Sequence, residues 1–206
     1  MMTTLIWTTS MKQTFAWFIF LVAAAAVASQ PTGSRQSPNT YTDVDAFDVY
    51  SAVMPRPIGG KALLVVNTTT KSDMCSPTDA AIANVDVPFR EAMQDYRRAN
   101  NEIRVLAGEI HGAVNADFVD RKELDSYFRK GADEGWKRFY RTHPNASGTV
   151  AFSAVGFNDK HTAAVVYFET LSCSLCAVGG LHFLQKGTNG WTEVKPDGAN
   201  RCEWIS

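Results

Sequence analysis

The chain runs to 206 residues, 45% of them hydrophobic, with 20 Lys and Arg set against 21 Asp and Glu. That size suits one domain with a sizeable core and is too short for two comfortable ones. The charge balance, with Arg97, Arg98, Arg121, Lys122, Arg129 and Lys130 interleaved with acids, lacks the one-signed basic field of a nucleic-acid binder.

Read from the N-terminus, Lys12 precedes the apolar run Phe15 to Ala28, which closes on Ala26-Val27-Ala28. A basic residue, a short apolar stretch and an Ala-x-Ala end are the parts of an export signal, and a membrane span needs about 20 apolar residues. Residues 1–28 are therefore expected to be a signal peptide, with Met11 as a second candidate start because Met1 to Ser10 carry no charge. Ser29, Gln30 and Pro31 follow, so no cysteine is placed to accept a lipid. The expected mature form is secreted or periplasmic and free of the membrane; an uncleaved anchor is the alternative.

Residues 29–42, rich in Ser, Thr, Gln, Pro and Gly, are expected to form a flexible linker, because they have little apolar surface to offset the entropy of ordering. The expected domain is 43–206. Asp43 caps a helix with Val44, Phe47, Tyr50 and Val53 on one face, ended by Pro55 and Pro57. Leu63 to Val66, between a Gly59-Gly60 turn and the Thr68 to Thr70 cluster, reads as a buried strand. Pro88 opens a helix lined by Phe89, Met93 and Tyr96. Asp120 and Glu123 make a capping box before Leu124, Tyr127 and Phe128, and a continuation from Asp133 places Trp136, Phe139 and Tyr140 on one stripe. These aromatics read as core, with a ligand cage as the alternative.

From Gly148 the period becomes that of strands: Thr149 to Phe157, Ala163 to Phe168, Leu181 to Gln185 and Trp191 to Val194, joined by turns at Asn158-Asp159 and Gly187 to Gly190. The expected fold is α+β, with N-terminal helices packed on a C-terminal antiparallel meander sheet in a single domain.

The four cysteines, Cys75, Cys173, Cys176 and Cys202, are disulfide candidates in an exported chain. Cys173 with Cys176 and Cys75 with Cys202 is the favoured pairing, and the two cross-pairings stay open. Cys173-Ser174-Leu175-Cys176 also has the spacing of a thiol–disulfide oxidoreductase site, but it sits between two strands where such a site opens a helix. A zinc site would add His182 and Cys202 to that pair. Asp43, Asp45 and Asp48 do not meet the calcium-loop template, so no metal and no cofactor is expected. Glu169 and His182, on strands flanking the cysteine loop, are the one acid–base pair that could act together. His143 and His161 are expected at the surface. Asn67 and Asn145 begin glycosylation sequons.

Phe152 to Asn158, Ala164 to Tyr167, the Cys173 to Cys176 loop with Leu175, and the ending Trp204-Ile205-Ser206 together resemble a set of uncharacterised exported bacterial proteins. Trp136 to Phe139, His143-Pro144 and Gly148 fit the same pattern. The resemblance spans about half of the mature chain and brings no activity with it; here Ala177 stands where that pattern has glycine. The function that follows is a disulfide-stabilised, non-catalytic module binding a protein or envelope component. The alternative is a secreted enzyme, hydrolase-like or a thiol–disulfide oxidoreductase using Cys173 and Cys176.

Overall fold

The computed structural model describes residues 39–55, 63–67, 70, 75–111 and 115–206. The signal peptide, most of the linker and the Gly59-Gly60 turn lie outside the described residues. The last linker positions do not behave as linker: Thr40–Tyr41 form strand β1, and the Tyr41 ring is buried, its hydroxyl accepting the Val155 N–H at 3.2 Å. A single aromatic side chain gives this end of the segment the apolar surface that the rest lacks.

Helix α1 spans Val44–Val53, with the Asp43 carboxylate accepting the Ala46 N–H at 3.3 Å. Phe47, Tyr50 and Val53 are buried as their spacing requires, whereas Val44, in the first turn, is exposed. Strand β2 (Leu63–Asn67) and the short helix α2 (Asp79–Ala83) follow, then α3 (Val87–Ala99), which has Pro88 in its first turn and buries Phe89, Ala92, Met93 and Tyr96. After β3 (Val105–Leu106) and β4 (Asn115–Val119), α4 (Arg121–Phe128) and α5 (Ala132–Thr142) form a helical hairpin. Gly131, at φ 103°, separates the two helices, so the aromatic stripe does not run through one continuous helix.

The remaining strands are β5 (Ala146–Phe152), β6 (Gly156–Phe157), β7 (Ala163–Cys173), β8 (Cys176–Gly187), β9 (Gly190–Val194) and β10 (Trp204–Ile205). The main sheet has the order β10-β8-β7-β5-β2-β4, with β6 added to β7 and β9 to β8. From β5 to β9 it is the antiparallel meander expected, and β2 adds to it parallel to both β4 and β5. The fold is α+β. The β7 and β8 strands are longer than their apolar runs indicate, extending to meet at Cys173 and Cys176.

Alternation of side chains divides the sheet into two buried faces. On one, Val66, Val150, Phe152, Val166, Phe168 and Leu184 pack with Phe47 and Tyr50 of α1. On the other, Val165, Tyr167, Leu181 and Phe183 pack under Phe89, Met93 and Tyr96 of α3, and Val119 and Ala146 pack under Leu124, Trp136 and Phe139 of α4 and α5. Helices thus cover both faces, except that at the end where β7 turns into β8, α5 reaches one side and the other is left open.

Candidate functional site

The β7–β8 hairpin carries no charged residue from Thr170 to Leu181. Near its tip the strand register places Cys173 opposite Cys176, and the two are joined by a disulfide. The hairpin is fixed to the α5 side by two hydrogen bonds: the Tyr140 hydroxyl donates to the Ser172 carbonyl at 2.7 Å, and the Ser174 hydroxyl donates to the Asp133 carboxylate. Leu175 at the tip is 79% exposed, Val178 on β8 44%, and Ile205, the register partner of Val178 on β10, 85%. These are three of the six exposed large hydrophobic residues among the described residues, gathered at one end of the sheet.

The second disulfide joins Cys75, ahead of α2, to Cys202 in the C-terminal segment, with the α carbons 5.9 Å apart. That segment runs along β8: the Leu181 N–H donates to the Arg201 carbonyl, and Ala177 and Ser206 exchange backbone hydrogen bonds. Both Cys75 and Cys202 have positive φ, at 58° and 49°. The four sulfurs are thus taken up in crosslinks, which leaves Cys202 no thiolate to share with His182 and Cys173–Cys176 around a zinc ion. Among the described residues no three His, Cys, Asp or Glu side chains are grouped to hold a metal ion.

Glu169 and His182 are not brought together. His182 is opposite Val166 and Glu169 opposite Gly179 in the β7–β8 register, so the two side chains leave opposite faces of the sheet. His182 instead shares its face with Glu193 of β9, its Nδ1 lying 3.0 Å from the carboxylate, and Glu193 also receives the Arg201 guanidinium. Burial pulls the His182 pKa below its usual value, and the Glu193 charge opposes that shift.

Glu169 is buried on the other face, where it accepts the Tyr167 hydroxyl at 2.9 Å; that hydroxyl in turn accepts the Trp204 indole N–H at 3.0 Å. Burial, joined by Glu169, raises the Tyr167 pKa, so the hydroxyl remains a donor at neutral pH. Glu169 also borders a cleft of about 320 Å³ beside α4, with Thr70, Arg121, Leu124, Thr149 and Leu171. The volume is at the low end for a small-molecule site. His182, on the opposite face, is not among its walls.

His143, expected at the surface, is buried against Phe139, and its Nε2 lies 3.3 Å from the Tyr127 hydroxyl. Its neighbour Pro144 ends α5, and the ring folds back under the helical hairpin. His161 does occupy a turn, at φ 49°, stacked on Phe157 and 3.0 Å from Asp45. Of the two sequons, Asn145 is exposed, whereas Asn67 is half-buried in β2 between two other strands.

Tyr167, Trp204 and Ile205 stand in the sequence only as parts of a recurring pattern, without a role, and Val178 is not singled out at all. The uncharged run from Thr170 to Leu181 is the one local signal of the exposed end, and it reads equally as a buried strand. Compared with known proteins, the chain matches no family model, no curated protein and no solved structure. Among the described residues, no helix is long and apolar enough to cross a membrane.

Proposed function

We propose that the chain is an exported, non-catalytic interaction module, braced by two disulfides, that contacts a protein partner through the end of the sheet formed by the β7–β8 tip and β10. The observation that carries this reading is the grouping of Leu175, Val178 and Ile205, exposed on paired strands and their turn, the first two within a run that has no charged residue from Thr170 to Leu181. A surface of this kind costs free energy in water and gains it on contact with an apolar partner surface. The separation of Glu169 from His182 supports the same reading, because it removes the acid–base pair on which the hydrolase alternative depends.

Export supports the module through its chemistry. Disulfides persist in oxidising compartments, and the leader that ends at Ala28 supplies the route. The test has two parts. Intact mass of the protein recovered outside the cytosol is expected to correspond to a chain starting at Ser29 with all four cysteines oxidised; a full-length, fully reduced chain confined to the cytosol overturns export. A photocrosslinking residue at position 175 or 205, in cells that produce the protein, is expected to give a discrete adduct that the same residue at Val87, exposed on α3, does not. Equal adducts from all three positions overturn the contact surface.

A further inference from the structure

We propose that Cys173–Cys176 is a thiol–disulfide exchange site that accepts two electrons from a dithiol partner, while Cys75–Cys202 stays closed. This rests on the reading of the chain as an exported interaction module: the exchange is a single stoichiometric transfer with the bound partner, not turnover of a substrate, and it names the chemistry of the partner that meets the hairpin tip.

Three observations carry it. The first is access: Cys176 is exposed at the tip and Cys173 half-buried, which directs an incoming thiolate to Cys176; Cys202 and Cys75 are exposed and half-buried in the same way, so the two disulfides differ in the leaving sulfur and the surrounding backbone rather than in access. The second is the fate of the leaving sulfur. The Leu175 N–H points at the Cys173 Sγ at 3.4 Å, a donor that favours negative charge on that atom. The Cys75 Sγ, in contrast, lies 3.4 Å from the Cys202 carbonyl oxygen, which opposes it. Exchange is faster when the departing thiolate is stabilised. The third is redundancy. The β7–β8 ladder is continuous from Ala163 opposite Gln185 to Leu171 opposite Ala177, and Ser172 and Ser174 are tied to α5 on either side of Cys173. The hairpin therefore keeps its shape without the crosslink, as a reversible site requires.

The chemistry balances. A thiolate of the partner bonds to the Cys176 Sγ; the Cys173–Cys176 bond breaks, and its electron pair leaves on the Cys173 Sγ, which then takes up a proton. The partner's second thiol loses a proton and attacks the partner's own sulfur in the mixed disulfide, and Cys176 leaves as a thiolate and is protonated. The partner dithiol is oxidised to a disulfide and the hairpin pair is reduced to two thiols. Leu175, between the two cysteines, supplies apolar contact during the encounter.

The test uses the oxidised full-domain protein at neutral pH, with dithiothreitol and glutathione as the probes, and maps each cysteine by differential alkylation and mass spectrometry. Cys173–Cys176 is expected to open at least tenfold faster than Cys75–Cys202 with the near-ultraviolet circular dichroism unchanged, and the first glutathione adduct is expected on Cys176. Equal opening rates, opening only together with loss of the dichroism, or a first adduct on Cys173 each overturn the proposal. The crosslinking from positions 175 and 205 is carried out without reductant, so failure of the contact surface is read separately from failure of exchange.

Discussion

Tyr167 shows how one hydroxyl organises a buried polar group. It takes the Trp204 indole N–H and passes its own hydrogen to Glu169, linking β10 to a carboxylate that would otherwise face an apolar environment with less compensation. Tyr167→Phe keeps the ring and removes both bonds. The expected cost is about 1–3 kcal/mol, the range for depriving a buried polar group of its partner, read as a lower urea midpoint at unchanged m-value. His182 supplies a pH dependence with a definite sign. Its folded-state pKa is lowered from 6.5, so the unfolded chain binds the proton more readily. The contribution of His182 is fully present above pH 6.5 and is lost as the pH falls through the lower folded value. In chemical-denaturation curves taken as a function of pH, His182→Gln is expected to flatten the fall in stability below neutrality; an unchanged profile removes this residue from the account. At this scale the sequence is least legible. Nothing local distinguishes the buried His143 from the stacked, half-exposed His161, because the environment of each is made by residues far along the chain.

At the scale of elements, the string Phe152 to Asn158, legible as a distinctive motif, proves to be a break between strands held from several sides. Ser153 to Val155 leave the ladder after β5 and re-enter it at β6. Their backbone groups are taken by side chains: the Asn100 amide bonds both the N–H and the carbonyl of Ala154, at 2.8 and 3.0 Å, and the Tyr50 hydroxyl bonds the Ser153 carbonyl at 2.8 Å. Gly156 then passes so close to α3 that a methyl group there would overlap the backbone of Tyr96 and Ala92. Gly156→Ala is expected to force α3 off the sheet and destabilise by roughly 3 kcal/mol or more, beyond the usual range of a point substitution; a thermal shift of only a degree or two would contradict that packing. The disulfides differ at this scale too. By loop entropy the crosslink over a separation of 127 residues is worth up to about 5 kcal/mol, and the one over 3 residues about 2 kcal/mol. Cys75→Ser with Cys202→Ser should therefore lower the guanidinium midpoint much more than Cys173→Ser with Cys176→Ser. Helices α1, α3 and α4 are legible because their caps and apolar spacing are local. Strand β4 is not, because Asn115-Ala116-Asp117-Phe118-Val119 lies at the sheet edge and needs only weak alternation.

For the whole molecule, the antiparallel meander was legible and the full sheet was not. The pairing of β2 with both β4 and β5 is parallel and non-local, so it leaves no turn signature between the strands. With helices on both sides, β7 is buried continuously from Ala163 to Phe168, which is why that run is apolar on both faces. Beyond Glu169 only the α5 side is still covered, through Leu171, Ser172 and Ser174, while Leu175, Val178 and Ile205 stay bare. This division between a packed body and an uncovered end makes the proposed surface separable from the fold. Leu175→Ser and Ile205→Ser remove apolar area that touches little in the molecule, so each is expected to change stability by no more than about 0.5 kcal/mol, as for surface positions generally. If the end is a contact surface, Leu175→Ser is expected to abolish the adduct formed from position 205, and Ile205→Ser the adduct formed from position 175, at unchanged melting temperature. A large loss of stability in either variant would mean that the uncovered end belongs to the core, and that its exposure serves no partner.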